Sequence, residues 1–107
     1  MVIGLEPDKV EEYKRLHADV WPDVLAMIRT VNIRNYSIYL RTLDDGRPYL
    51  FSYFEYTGSD FQADMAKMAA DPTTQRWWSH CMPCQRPLND RAEGEWWASM
   101  EEVFHTD

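Results

Sequence analysis

Two runs of strand-forming residues flank a tight turn. They are Tyr36-Ser37-Ile38-Tyr39-Leu40-Arg41-Thr42 and Tyr49-Leu50-Phe51-Ser52-Tyr53-Phe54-Glu55-Tyr56, with Asp44-Asp45-Gly46 between them. The Asp-Gly step supports the positive φ that a hairpin turn requires, so the two runs predict an antiparallel pair. The pair is nearly apolar on both faces, and a sheet of that kind needs cover on both sides. A chain of 107 residues fits one small domain and leaves no room for two. We therefore expect a single domain over residues 1–107, with helices on one face of the sheet and a second subunit on the other.

The flanking segments supply those helices. Met1–Leu5 is a short apolar strand, and the chain opens directly inside it, so we expect a few residues to be missing ahead of Met1. Glu6-Pro7-Asp8 then marks a helix start. Over residues 8–30, Val10, Tyr13, Leu16, His17, Val20, Val24, Met27, Ile28 and Val31 fall on one side at helical spacing. Pro22 cannot bond to the carbonyl of Ala18 and biases Trp21 away from helical angles, which gives one kinked helix or two short ones meeting at Asp19–Trp21. Asn32–Asn35 reads as a connector. Phe61–Ala70 predicts a further helix with Phe61, Met65, Met68 and Ala69 inward, and Thr73–Met82 another, with Pro72 near its start. Pro83–Gly94 reads as a long loop and Glu95–Phe104 as a last strand centred on Met100–Phe104. Strand, helix, strand, strand, helix, strand is the α+β, ferredoxin-like βαββαβ plan.

Composition narrows the partners. Eleven basic against 18 acidic residues give a net charge of −7, and no basic patch is present, which argues against nucleic acid or an anionic membrane and favours a neutral or cationic ligand. No apolar run approaches the ~20 residues of a membrane span. Met1–Leu5 is too short for a signal peptide, so a cytoplasmic enzyme or binding protein is expected. Five Trp, six Tyr and four Phe are many for so short a chain, and Trp and Tyr tend to line sites and interfaces.

Chemistry has few places to reside. Tyr13, His17 and Trp21 are spaced four apart, so on a helix they form one slanted stripe on the side facing the protein. An imidazole there is either a core histidine with a satisfied hydrogen bond or a general acid/base, since its ordinary pKa of ~6.5 holds both protonation states near neutrality. Trp77-Trp78 point ~100° apart, so one can pack while the other meets a ligand; a tryptophan face suits the C–H face of a sugar ring. Cys81-Met82-Pro83-Cys84 has the spacing of a redox or half-zinc motif, yet it follows a helix and enters a loop, and only His80 and His105 are available as further zinc ligands. Trp96-Trp97 reads as packing or dimer contact. No motif calls for a metal or another cofactor.

Read together, Glu12-Tyr13-x-x-x-His17, Val20-Trp21-Pro22, Asn35-Tyr36-Ser37-Ile38-Tyr39-Leu40, Gln75-Arg76-Trp77-Trp78 and Glu102-Val103-Phe104 resemble the L-rhamnose mutarotase family over almost the whole chain. The stretch Cys84–Gly94 and the following Trp96-Trp97 depart from the family pattern. The resemblance implies a homodimeric α/β barrel built from two ferredoxin-like sheets. It implies interconversion of the α and β anomers of L-rhamnose or a related 6-deoxy sugar, without metal or cofactor. It implies His17 as proton donor and Tyr13, Tyr36, Trp77 and Trp78 as substrate contacts. The alternatives are a sugar-binding module without turnover, or a haem-binding or monooxygenase-like member of the same barrel architecture.

Overall fold

The computed structural model describes residues 1–107. Strand β1 (Val2–Leu5) leads through a 3₁₀ turn at Pro7–Lys9 into helices α1 (Val10–Ala18) and α2 (Pro22–Thr30). The hairpin β2 (Ile33–Thr42) and β3 (Pro48–Tyr56) follows, then helices α3 (Phe61–Ala69) and α4 (Pro72–Cys81), a second 3₁₀ turn at Met82–Cys84, and the short strand β4 (Gln85–Arg86). The sheet runs β2-β3-β1-β4 with every pairing antiparallel. β1 and β2 are thus parallel to each other with β3 inserted between them, the split βαβ arrangement of a ferredoxin-like fold.

Local chemistry accounts for the breaks. Pro22 sits in the first turn of α2 and Trp21 holds an extended conformation before it (φ −58°, ψ 133°), so the helical stretch is two helices and not one kinked one. The side chain of Asp60 accepts from the Ala63 N–H at 3.1 Å and caps α3; that of Asp71 accepts from the Thr74 N–H at 2.9 Å and caps α4. Gly46 has φ +77° in the hairpin turn, as the Asp-Gly step requires.

Both helix pairs lie on one face of the sheet. Ile3 pairs with Leu50 and Leu5 with Gln85, so these side chains share that face. Ile3, Leu5 and Leu50 pack there with Tyr13, Val24, Trp77, Cys81 and Cys84 to form the core. The opposite face carries exposed Tyr39 and Tyr53.

Two expectations are corrected. The last strand is Gln85–Arg86, inside the stretch read as loop, and Met100–Phe104 has no regular structure, with Val103 86 % and Phe104 79 % exposed. β1 has four residues, and its outer edge is already taken. Gly4 and Leu5 pair with Arg86 and Gln85, while Val2 exchanges both backbone hydrogen bonds with Ala98 at 2.8 and 2.9 Å. Pro87 has no N–H to extend the ladder, so the chain leaves the edge there and returns to it only at Ala98. The second correction concerns α3. Met65 and Met68 are half-buried, but Phe61 and Ala69 are exposed, and α3 contains no buried residue.

Candidate active site

The cleft between the helices and the sheet encloses a cavity of about 620 Å³, lined almost wholly by apolar and aromatic side chains. Tyr13, His17, Tyr36, Trp77 and Trp78 all line it. The structure therefore brings these five residues together, from α1, β2 and α4.

Helix α1 fixes the imidazole. His17 Nδ1 lies 2.9 Å from the carbonyl oxygen of Tyr13, one turn earlier. A carbonyl can only accept, so Nδ1 carries the hydrogen and Nε2 is the nitrogen left for chemistry. The His17 ring stacks on the Tyr13 ring at 4.1 Å and meets the edge of Trp77 at 5.3 Å, so it is held on two sides. Burial pulls the His17 pKa below its ordinary 6.5, and the hydrogen bond to the Tyr13 carbonyl opposes this in part. The neutral tautomer with hydrogen on Nδ1 is thus favoured at neutral pH, and the protonated form is a correspondingly stronger acid.

Helix α4 supplies the tryptophans. Trp77 is buried and packs edge-on against Trp21 at 5.3 Å, while Trp78 is half-buried; both reach the cavity. This is the division of labour that adjacent helical positions impose.

Tyr36 owes its position to a β-bulge. Arg34 pairs with Glu55 and Ser37 with Tyr53, leaving Asn35 and Tyr36 together opposite Phe54. Asn35 takes the left-handed conformation (φ +49°), which asparagine tolerates, and its side chain donates to Glu55 at 2.9 Å. In a regular ladder Tyr36 would face Tyr53 on the open face. The extra residue instead turns it to the helix-covered face, where its ring lies 5.5 Å from Phe54. The residue is 39 % exposed. Burial around its hydroxyl raises the phenol pKa, with a smaller contribution from nearby Cys81, so Tyr36 keeps its proton at neutral pH.

Gln85 and Trp96 also reach the cavity, and neither was given a site role from the sequence. Gln85 on β4 donates from Nε2 to the Tyr13 hydroxyl at 3.2 Å, and Trp96 donates from Nε1 to Gln85 Oε1 at 2.8 Å. Burial pushes the Tyr13 pKa well above its ordinary value, and the Gln85 hydrogen bond offsets part of that. Gln85 carried no signal, being one polar residue in an apparent loop. Trp96 was visible only as one of a pair read as packing or dimer contact.

The cysteines are free and buried. Burial raises the Cys81 thiol to about 12, and Cys84 is raised as well, so neither is a ready thiolate. His105 pairs with Asp107 in the exposed tail at 3.1 Å, and no group of three or more metal-ligating side chains forms.

Comparison with known proteins identifies the family. The family model for L-rhamnose mutarotase matches residues 1–106. L-rhamnose mutarotases of Oceanobacillus iheyensis and Bacillus subtilis are each 30 % identical over 106 residues, covering 99 % of this chain and 94 % of theirs. That of Shigella flexneri is 32 % identical over 107 residues, covering 97 % of this chain and 92 % of its own. The crystal structure of an L-rhamnose mutarotase from Formosa agariphila superposes with a TM-score of 0.69 at 20 % identity over 99 % of this chain and 94 % of that one, a likeness of fold. The chain belongs to the L-rhamnose mutarotase family of isomerases.

Proposed function

We propose that this chain interconverts the α and β anomers of L-rhamnose, or of a related 6-deoxy sugar, by general acid–base catalysis at His17. One observation carries the reading. His17 has its Nδ1 tied to the Tyr13 carbonyl, which leaves one ring nitrogen unused, and the residue lines a cavity walled by Trp77, Trp78 and Tyr36. An aromatic cavity with few polar groups suits a sugar that presents C–H faces and a methyl group in place of one hydroxyl.

The reaction needs one proton given and one taken. Protonated His17 gives the Nε2 proton to the ring oxygen, and the bond from that oxygen to the anomeric carbon breaks. The anomeric hydroxyl loses its proton to water, leaving an open aldehyde. Rotation about the bond between the aldehyde carbon and its neighbour presents the other face. The hydroxyl that was the ring oxygen closes on that face, returning its proton to His17 as the carbonyl oxygen regains one. Nothing is consumed. Tyr13 and Tyr36 both stay protonated, so they serve as phenols holding sugar oxygens and not as bases. Trp77 and Trp78 cover the ring and its methyl group.

The working unit in this proposal is a cytoplasmic homodimer of one-domain chains. The sheet face away from the helices exposes Tyr39 and Tyr53 side by side with Arg41, and a second copy of the same face would cover them. Sedimentation at micromolar concentration should give twice the chain mass; a single chain mass there would remove the dimer from the proposal.

Saturation-transfer NMR on the anomeric protons of L-rhamnose tests the reaction itself. Exchange should accelerate with the native protein and not with His17→Asn. A fully active His17→Asn protein would overturn the role given to His17.

A further inference from the structure

Tyr13 is fixed at both ends of its residue. Its carbonyl sets the His17 tautomer, and its hydroxyl receives Gln85. The polarity of the second contact follows from the far end of the chain of bonds. An indole N–H can only donate, so the Gln85 oxygen must face Trp96 and the Gln85 amide nitrogen must face Tyr13. An amide N–H can only donate as well. The Tyr13 oxygen therefore accepts from Gln85, and its own hydrogen cannot point back along the chain. Tyr13 makes no other side-chain hydrogen bond within the protein, and it lines the cavity together with Gln85 and Trp96.

We propose that Trp96 and Gln85 are positioning residues that hold the Tyr13 hydroxyl as an obligate hydrogen-bond donor toward a sugar oxygen in the cavity. This rests on the sugar-site reading above and gives it a direction. The bound sugar must offer Tyr13 an acceptor, either the ring oxygen or a hydroxyl lone pair, next to the imidazole on which the Tyr13 ring is stacked. The relay is placed by the backbone. Gln85 pairs with Leu5 across β1 and β4, and Ala98, two residues after Trp96, pairs with Val2 on the same strand. The stretch that leaves the sheet edge at Pro87 and returns at Ala98 thus delivers the indole to the amide.

Gln85→Glu reverses the relay at nearly constant shape. The introduced carboxylate accepts from Trp96 as before, but it also accepts from Tyr13, so the phenol hydrogen turns away from the cavity. Sugar exchange should fall about tenfold, the size of one lost neutral hydrogen bond. In a Tyr13→Phe background the same substitution should cost about tenfold less than in the native one, because no hydroxyl remains to be turned. The cycle also removes any direct effect of the new charge on His17, which is present in both backgrounds. Trp96→Phe is the uncharged counterpart. It frees the amide to flip, so exchange should drop about threefold in the native background and not at all in Tyr13→Phe. If Gln85→Glu does not fold, Trp96→Phe decides alone. Unchanged exchange, or equal losses in both backgrounds, would overturn the relay. The same cycles read by the affinity for methyl α-L-rhamnoside, which cannot mutarotate, separate the two proposals. A native protein without exchange would overturn catalysis, while coupling in the binding cycle would still support the relay and its absence would overturn it.

Discussion

On the side of the cavity formed by α1 and α4, the side chains hold one another. Tyr13 and Trp77 are buried, His17 is clasped between them, and the Tyr13 hydroxyl is anchored through Gln85 to Trp96. On the side formed by α3, no residue is buried and Phe61 is 45 % exposed. Both sides border the same space. The difference matters because a catalytic group must be held within a fraction of an ångström, and that takes packing plus hydrogen bonds behind it. The α1/α4 side has that support. The α3 side has a pair of half-buried methionines, Met65 and Met68, whose flexible side chains can adjust to what is bound. Chemistry therefore belongs to the first side and accommodation to the second.

The largest effect should come from the held side. His17→Asn should lower the rate of anomer exchange by about 10²-fold or more, the range that general acid–base assistance supplies, while leaving the fold intact. Its ring is only half-buried, and asparagine can keep part of the contact with the Tyr13 carbonyl. Far-UV circular dichroism and urea unfolding would check the fold beside the rate.

A pH series sharpens the same assignment, because activity and stability should move in opposite directions. Burial holds the His17 pKa below 6.5. The protonated form is the donor, so enzyme-dependent exchange, corrected for the uncatalysed rate, should rise as pH falls through 6.5 and level off below the folded pKa. The unfolded chain takes up this proton near 6.5 and the folded chain resists it. Stability from this group is therefore complete above 6.5 and declines as pH falls toward the folded pKa. Exchange that instead fell with acid over that window would identify neutral His17 as the working form.

The two tryptophans separate packing from binding on one helix. Trp77 is buried among His17, Trp21 and the core, so Trp77→Ala should cost about 3–5 kcal/mol in urea unfolding, as large-to-small core changes do. Trp78 is half-buried. Trp78→Ala should cost about 1 kcal/mol of stability and show chiefly as a higher KM. Equal destabilisation by both would mean that Trp78 only packs.

Much of this was legible in the chain because punctuation and period agreed. Asp44-Asp45-Gly46 marked the hairpin, Pro22 marked a break in the first helical stretch, Pro72 marked a helix start, and the spacing of four between Tyr13 and His17 placed them on one inward face. The parts that were not legible depend on long-range competition. Nothing local in Met100–Phe104 says that β1's edge is already occupied by Gln85–Arg86 and Ala98. Asn35 read as a connector because a left-handed asparagine looks like a turn residue whether it ends a strand or bulges one, and only the pairing with Phe54's neighbours shows which. Gln85 could not be seen at all, since its importance lies in Tyr13 and Trp96, 72 and 11 residues away.

The smallest effect should come from the loose side. Phe61 stacks on Phe54 at 6.3 Å and meets Tyr56 edge-on at 5.1 Å, yet nearly half of it is exposed, and α3 is also held by its Asp60 cap, by two half-buried methionines and by Asp64, which accepts from Asn32 at 3.0 Å and from the Tyr56 hydroxyl at 2.6 Å. Burial of about half a phenylalanine is worth roughly 1 kcal/mol. Some of that returns when the methionines close over the gap, so Phe61→Ala should destabilise by about 0.5 kcal/mol. Exchange should stay within about twofold of native, because no group that holds His17 or Tyr13 is touched. A loss as large as that of Trp78→Ala would show that α3 presses on the sugar, and the contrast between the two sides of the cavity would then be one of exposure alone and not of function.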